Sequence, residues 1–261
     1  MGARILVIIP AFNEARAIAR VVGDIPPGLA EAVVVVNNAS TDATAENAKQ
    51  AGAVVVNESR RGYGYACLRG LGSAEDMRPD VVVFLDGDYS DHPDEMEALV
   101  APILRQHADF VVGSRMAGVR EPGAMLPQAV IGNRLACTLM RMLWGIRYTD
   151  LGPFRAIRYE ALTRLNMQDK TFGWTIEMQI KAHLAGLRIA EVPVSYRRRT
   201  GVSKITGTVS GTVRASIKIL WTLLRFAVAT QAMTRSLQKG AGAAADNLQL
   251  TTHKLEQFHA T

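Results

Sequence analysis

Two aspartates, Asp86 and Asp88, follow directly on an apolar run and are separated by Gly87. The run Val81–Leu85 is typical of a strand buried on both faces of a parallel sheet. Open α/β sheets bind ligands at the carboxyl ends of such strands. Gly87 lets the backbone turn so that the two carboxylates can converge. Converging carboxylates form a hard oxygen site for Mg²⁺ or Mn²⁺, although a solvated acidic turn is the alternative.

Polar residues also follow four other predicted strands. These clusters are Asn13-Glu14, Asn37-Asn38, Arg60-Arg61 and Ser114-Arg115. Because the carboxyl ends of parallel strands meet at one edge of a sheet, we expect the clusters to line one crevice with the aspartates. A dinucleotide-binding oxidoreductase would carry G-x-G-x-x-G after the first strand, where this chain reads PAFNEA. That class is therefore disfavoured.

The elements that must position these residues alternate between strand and helix. Apolar runs predict strands at 4–9, 32–36, 53–56, 81–85 and 109–112, with helical periodicity between them. The alternation predicts an α/β fold with a mostly parallel, Rossmann-like sheet flanked by helices. Later segments predict helices at 127–144 and 159–165, and the segment 172–177 leads into a further helix that ends at about 185. They also predict a loop at 145–155, a strand at 187–194 and a long amphipathic helix at 208–230.

Composition limits the function classes. The chain has 261 residues, of which 48% are hydrophobic and 21% charged, and a net charge of +6. The positive charge favours an anionic partner: nucleic acid, anionic lipid or a phosphorylated substrate. Two cysteines, Cys67 and Cys137, are too few for a disulfide framework and indicate a reducing compartment. An uncharged apolar stretch of about 18 residues, as a membrane-spanning helix needs, does not occur.

With these motifs in order, the chain resembles the family 2 glycosyltransferases of GT-A fold. The resemblance is carried by PAFNE at 10–14, NNASTDAT at 37–44, DGD at 86–88 and the R-x-x-x-G-x-S-K element at 197–204. Within the family, it is most similar to the polyprenyl-phosphate (dolichyl-phosphate) mannose or glucose synthases. The residues that carry this closer similarity are DGDYSDHP, Gly113-Ser114-Arg115, Gly132-Asn133-Arg134, the segment 150–156 and the segment 199–204. The resemblance implies inverting transfer of one hexose from a nucleotide sugar to a lipid phosphate.

The resemblance also implies a metal and donor site. Mg²⁺ or Mn²⁺ would be held by Asp86 and Asp88, with Ser90 or Asp91 completing the shell. The predicted nucleotide-sugar site comprises Pro10, Phe12, Asn13, Glu14, Asn38, Asp42, Arg61, Gly64, Asp86, Gly87, Asp88, Arg199 and Lys204. Helix capping is the alternative for Asn38 and Asp42. Many relatives carry Asp where this chain has Asn37 or Asn38, so the preference for UDP or GDP stays open.

Arginines are the candidates for the acceptor phosphate, because guanidinium groups bind phosphate bidentately. We predict Arg115 and Arg134 in this role, assisted by hydrogen bonds from Ser114, Asn133 and Ser203; a solvated helix face is the alternative for Arg134. Glu177 lies where relatives with a sugar-hydroxyl acceptor place their base. A phosphate acceptor is already largely ionised near neutral pH, so Glu177 is then an orienting or a structural residue. The predicted catalytic residues are Asp88, Glu177, Arg115 and Arg134.

Three segments are predicted: a glycosyltransferase domain at 1–205, an amphipathic membrane-interface or packing helix at 206–232 and a disordered tail at 233–261. We expect a cytoplasmic protein that associates peripherally with the inner face of the membrane, can form homo-oligomers and does not bind nucleic acid. One alternative is the same fold with a saccharide hydroxyl as acceptor. The other is a non-catalytic basic protein that binds anionic membrane or nucleic acid.

Overall fold

The computed structural model describes residues 2–201, 217–228 and 230. Within them, seven strands form one sheet in the order β3-β2-β1-β4-β6-β5-β7. The strands are β1 (Ile5–Ala11), β2 (Ala32–Asn37), β3 (Val54–Asn57), β4 (Val81–Phe84), β5 (Phe110–Ser114), β6 (Arg155–Arg158) and β7 (Ile189–Pro193). All neighbouring strands are parallel except β6, which is antiparallel to both β4 and β5. The predicted mostly parallel α/β sheet is confirmed.

Seven α-helices surround the sheet in the same described region. They are α1 (Ile18–Gly23), α2 (Thr44–Gln50), α3 (Tyr63–Met77), α4 (Met96–Leu104), α5 (Pro127–Trp144), α6 (Tyr159–Leu165) and α7 (Trp174–Leu184). Residues 217–228 are also helical. None of the helices described is both long and apolar enough to cross a membrane. The predicted tail at 233–261 lies outside the described residues.

Helices cover both faces of β1, which explains its unbroken apolar sequence. Ile5, Val7 and Ile9 share a buried cluster with residues of α1 and α4. On the opposite face α3 approaches Ile8 so closely that a Cβ at Gly70 would lie 2.5 Å from the Ile8 Cγ2 atom. Burial on both faces fixes β1 and its parallel neighbour β4 at the centre of the sheet.

The antiparallel β6 is a strand that the sequence analysis did not predict. The loop predicted at 145–155 is present up to Phe154, and the chain then enters β6 at Arg155 and pairs with both β4 and β5. Because β6 runs antiparallel, its amino-terminal end lies at the carboxyl edge of the other strands. The loop before β6 is thereby placed beside the ends of β4 and β5.

Candidate active site

A cavity of about 350 Å³ opens at the carboxyl edge of the sheet. Residues that follow β1, β2, β3 and β4 meet there with the segments around 171 and 199. The lining residues are Pro10, Ala11, Phe12, Glu14, Asn38, Arg61, Gly62, Tyr63, Asp86, Gly87, Asp88, Thr171, Phe172 and Arg199. The parallel topology therefore brings together residues that are far apart in sequence.

Most residues of the predicted donor site line this cavity. Pro10, Phe12, Glu14, Asn38, Arg61, Asp86, Gly87, Asp88 and Arg199 do so. The described residues Asn13, Asp42 and Gly64 do not. Ser203 and Lys204 lie outside the described residues, so the structure is silent on both.

Asp88 is buried and its carboxylate is held on both sides. Its Oδ1 atom accepts hydrogen bonds from the backbone N–H of Ser90 at 2.8 Å and from the Ser90 hydroxyl. Its Oδ2 atom forms an ion pair with the guanidinium of Arg199. The backbone carbonyl of Asp88 also accepts from the N–H of Thr200 at 2.9 Å. The segment that carries Arg199 is thus fastened directly to the acidic pair.

Asp86 and Asp91 place unsatisfied acidic oxygens beside Asp88. Among the described residues, the buried Oδ1 atoms of Asp86 and Asp91 have no hydrogen-bond partner. Burial, and then the neighbouring charge of Asp88, raise the pKa of Asp86 to about 7. Burial, followed by the charges of Asp86 and Asp88, raises the pKa of Asp91 well above its ordinary value. Orphaned oxygens of this kind fit a hard divalent cation.

The predicted set of three carboxylate ligands is not assembled. The described chain contains no group of three or more His, Cys, Asp or Glu side chains arranged to hold a metal. Asp91 directs its Oδ2 atom at the backbone N–H of Asp86, 3.3 Å away. Asp86 and Asp88 both line the cavity. Asp91 does not line it and instead contacts the backbone of the turn that begins at Asp86.

Asn38 and Asn13 tie the loops around the cavity to each other. Asn38 donates from Nδ2 to the carbonyl of Arg60 at 2.7 Å, and its Oδ1 accepts from the N–H of Gly62 at 2.9 Å. Arg61 lies between Arg60 and Gly62 in the sequence, and its guanidinium is 4.6 Å from the ring centroid of Phe12. Asn13 accepts from the N–H of Thr41 at 2.8 Å. These contacts shape one wall of the cavity.

Asp42 and Gly64 serve the surrounding elements. Asp42 accepts at 3.0 Å from the N–H of Thr44, the first residue of α2, whereas the cap position itself is Ala43. Gly64 packs so tightly that a Cβ there would lie 2.0 Å from the carbonyl oxygen of Asp169. The adjacent segment supplies two lining residues, Thr171 and Phe172, that sequence reasoning missed.

A third missed residue is Tyr63, which lines the cavity between Arg61 and Gly64. Burial, and then the charge of Asp86, raise the pKa of the Tyr63 phenol well above its ordinary value. The RRGYG loop was a signal for Tyr63, because it lies between two predicted residues. Thr171 and Phe172 carried no such signal, since only folding brings their loop against α3.

Arg115 does not present its guanidinium to the cavity. Its Nε and Nη2 atoms form a two-pronged ion pair with buried Asp150, at 2.8 and 2.7 Å. Burial lowers the pKa of Arg115, but the Asp150 carboxylate more than offsets that effect, and the pKa lies well above its ordinary value. Asp150 already occupies the fork of this guanidinium, and the role of Arg115 at the acceptor phosphate stays a prediction.

The other predicted acceptor residues also lie outside the cavity lining. Ser114 is buried, with its hydroxyl 2.6 Å from that of Thr149. Asn133 donates to the carbonyl of Thr149 at 3.0 Å and accepts from the N–H of Leu151 at 2.9 Å. Both side chains therefore hold the 149–151 loop. Arg134 is exposed on α5, as the solvated-face alternative expects.

Glu177 is fully buried on the first turn of α7 and does not line the cavity. Its two oxygens accept from the backbone N–H groups of Gln168 at 2.9 Å and Asp169 at 2.6 Å. Lys181 pairs with the same carboxylate at 2.7 Å. The structure favours the structural alternative, in which Glu177 fixes the loop that leads to Thr171.

Comparison with known proteins agrees with this arrangement. Residues 6–165 match the model of the family described as glycosyl transferase family 2. The chain belongs to the family 2 glycosyltransferases. An uncharacterized glycosyltransferase of Mycobacterium tuberculosis is 35% identical over 217 residues, which are 82% of this chain and 95% of that protein.

Two further proteins are similar to this glycosyltransferase. The dolichyl-phosphate hexose transferase of Haloferax volcanii is 32% identical over 204 residues, 76% of this chain and 85% of that protein. A crystal structure of glucosyl-3-phosphoglycerate synthase from Mycobacterium tuberculosis, in complex with Mn²⁺, UDP-glucose and phosphoglyceric acid, superposes with a TM-score of 0.70 and 26% identity. The superposition covers 87% of this chain and 80% of the synthase chain. The expected GT-A fold is confirmed.

Proposed function

We propose that this glycosyltransferase moves a hexose from a nucleotide sugar to a polyprenyl phosphate, with inversion and with Mg²⁺ or Mn²⁺. The observation that carries the proposal is the cavity itself, where Asp86 and Asp88 lie beside Arg199. The similarity to a dolichyl-phosphate hexose transferase supports the acceptor class. The donor class and the metal are supported by the similar structure that holds Mn²⁺ and UDP-glucose.

The cavity residues divide the work of binding the donor. Asp86 and Asp88 would hold the divalent cation, which when bound neutralises charge on the leaving diphosphate. Arg61 and Arg199 line the same cavity and add positive charge. Phe12 offers an aromatic surface for the base. Pro10, Gly87 and Glu14 complete the wall formed by the two loops that follow β1 and β4.

The buried position of Glu177 supports a phosphate acceptor. A phosphate oxygen is largely ionised near neutral pH and attacks without a dedicated base. A sugar hydroxyl, in contrast, needs a base within hydrogen-bond reach. Glu177 is occupied by two backbone N–H groups and Lys181 and does not line the cavity.

A second candidate acceptor is a small phosphorylated acid. The similar crystal structure contains phosphoglyceric acid, at 26% identity to this chain. This candidate keeps the donor site unchanged and dispenses with a lipid. Peripheral attachment to the cytoplasmic face of a membrane belongs to the polyprenyl-phosphate proposal, and homo-oligomer formation is compatible with either acceptor.

Calorimetric titration with UDP-glucose and GDP-mannose, with and without Mn²⁺, tests the donor site. We expect one of the two to bind in a Mn²⁺-dependent manner. Asp88→Asn should weaken that binding at least about tenfold, because a charge-assisted ligand is lost. Asp94→Asn, at a largely exposed carboxylate, is the matched control and should bind normally. Absence of binding under every condition would overturn the proposal.

Transfer assays then separate the acceptors. We expect labelled hexose to appear on polyprenyl phosphate when the preferred nucleotide sugar and Mn²⁺ are supplied. Transfer to phosphoglyceric acid alone would replace the first acceptor with the second. Transfer to a saccharide hydroxyl alone would contradict both.

A further inference from the structure

The helix α5 presents an apolar stripe to solvent on the side opposite its buried face. Ile131, Leu135 and Met142 are 67%, 48% and 76% exposed. Their spacing of four and seven residues places them on one face of the helix. Asn133 and Met140 lie on the other face and are buried. Large apolar side chains exposed in a row are characteristic of a docking surface.

The charges on α5 indicate what docks there. Arg134 and Arg141 follow the same periodicity and run along one flank of the stripe, and both are exposed. The sequence of α5 contains no Asp or Glu. An isologous contact with a second copy would bring these arginines close to their counterparts without an acidic partner on the helix. An anionic lipid surface matches both the apolar stripe and its basic flank.

Contacts on the buried side of α5 connect this helix to the candidate active site. On its buried side, α5 holds the 149–151 loop through Asn133, and that loop holds Arg115 through Asp150. The guanidinium of Arg115 lies 5.0 Å from the ring centroid of Tyr196, which in turn bridges to Asp91. The loop that α5 holds leads into β6 and so lies at the carboxyl edge of the sheet, while the exposed stripe is on the side of α5 that faces away from this loop.

We propose that the exposed stripe of α5, formed by Ile131, Leu135 and Met142 with Arg134 and Arg141, docks onto an anionic membrane surface. The inference rests on the proposed function, because polyprenyl phosphate is a lipid that a docked membrane would supply. The apolar side chains insert among the acyl chains, and the arginines contact the headgroups.

Vesicle flotation of the full chain tests the docking face. Vesicles of phosphatidylcholine, with or without phosphatidylglycerol and always without polyprenyl phosphate, are the probes. We expect the protein to float with the anionic vesicles. Leu135→Gln/Met142→Gln should weaken that binding about tenfold, because the inserted apolar surface is lost. Arg141→Gln should weaken it about fivefold on anionic vesicles and leave neutral vesicles unaffected.

Leu104→Gln/Leu184→Gln is the matched control, since these leucines are 43% and 48% exposed on other helices. Flotation of this control should equal that of the unmodified chain. Equal flotation of the α5 double variant and its control would overturn the proposal. So would absence of flotation, or a dimer in light scattering that the α5 double variant abolishes, because the occupant would then be a second copy.

Donor calorimetry on the same variants separates the two proposals. If UDP-glucose and GDP-mannose both fail to bind with Mn²⁺ while flotation depends on the stripe, the proposed function fails and the docking face stands. If donor binding persists while flotation is insensitive to the stripe, the docking face fails alone.

Discussion

Both the nitrogen and the oxygen of the Asn38 side-chain amide form hydrogen bonds with the loop that carries Arg61. Its amide group donates to the carbonyls of Arg60 at 2.7 Å and Glu58 at 3.3 Å. Its Oδ1 atom accepts from the N–H of Gly62. An aspartate could accept from Gly62 but would set an anionic oxygen against two carbonyl oxygens. The loop geometry therefore explains an amide at position 38, whichever base the nucleotide sugar carries.

We expect Asn38→Asp to lower the free energy of unfolding by about 1–3 kcal/mol, because two buried acceptors lose their donor. The loosened loop should also weaken nucleotide-sugar binding. Urea unfolding and donor calorimetry measure the two effects. Asn37→Asp, at a half-buried neighbour, should cost less than about 1 kcal/mol. An unchanged stability with altered base preference would show instead that Asn38 reads the base.

Glu177→Gln distinguishes a structural carboxylate from a general base. The amide would set an NH₂ group against a backbone N–H, so we expect a loss of about 1–3 kcal/mol in unfolding free energy. Transfer activity should fall by less than about tenfold, whereas loss of a base costs about 10²–10⁴-fold. Glu160→Gln, exposed on α6, is the control for both measurements. A stable but inactive Glu177→Gln variant would contradict this assignment.

Among the elements, α3 depends on a close approach at its first turn. A Cβ at Gly64 would lie 2.0 Å from the Asp169 carbonyl oxygen and 2.7 Å from the Lys170 carbonyl carbon. Neither is the end of a flexible side chain, so the helix or the loop must move. That loop continues into Thr171 and Phe172, and the packing of α3 therefore shapes the cavity.

We expect Gly64→Ala to reduce the free energy of unfolding by about 1–3 kcal/mol through overpacking. Gly72→Ala is a control on the same helix, because a Cβ there meets nothing within 4 Å. That change should stabilise the chain by up to about 1 kcal/mol through helix propensity. Thermal unfolding of the two variants compares them directly. Equal shifts would show that the 169–170 backbone yields easily.

The element bounds show how far local sequence reaches. The predicted helices at 127–144 and 159–165 coincide with α5 and α6, because their periodicity and the proline at 127 are local signals. In contrast β6 is the four-residue segment Arg155–Arg158, which shows no decisive alternation. Its strand conformation comes from pairing with β4 and β5 on either side, and a single sequence does not display those partners.

At the scale of the whole molecule, Asp109 ties together three strands at the amino edge of β5. It accepts from Arg188 at 2.7 Å, just before β7, and from Arg158 at 3.1 Å, at the end of β6. The Arg188 hydrogen bond is the main reason that the pKa of Asp109 falls to about 2. The folded state thus stabilises the ionised form of Asp109 more than the unfolded state does.

Acid should therefore remove this contribution. We expect Asp109→Asn to lower the free energy of unfolding at pH 7 by about 1 kcal/mol, since exposed Arg188 is screened by solvent. The difference from the unmodified chain should persist above the unfolded pKa of about 3.9 and disappear as the pH falls towards 2. Urea unfolding across that range measures it, with Asp94→Asn as control. A difference independent of pH would contradict the ion-pair explanation.

By itself, the sequence determined the fold class and the edge of the sheet at which the cavity forms. Apolar runs specify buried strands, and polar residues that follow parallel strands must gather at one edge. Only the tertiary structure decided which of those residues face the cavity. Asp86 and Asp88 do, whereas Arg115 turns to Asp150, 35 positions further along the chain. A buried charged side chain needs an ion-pair partner of opposite charge. For Arg115 a loop remote in sequence supplies that partner, Asp150.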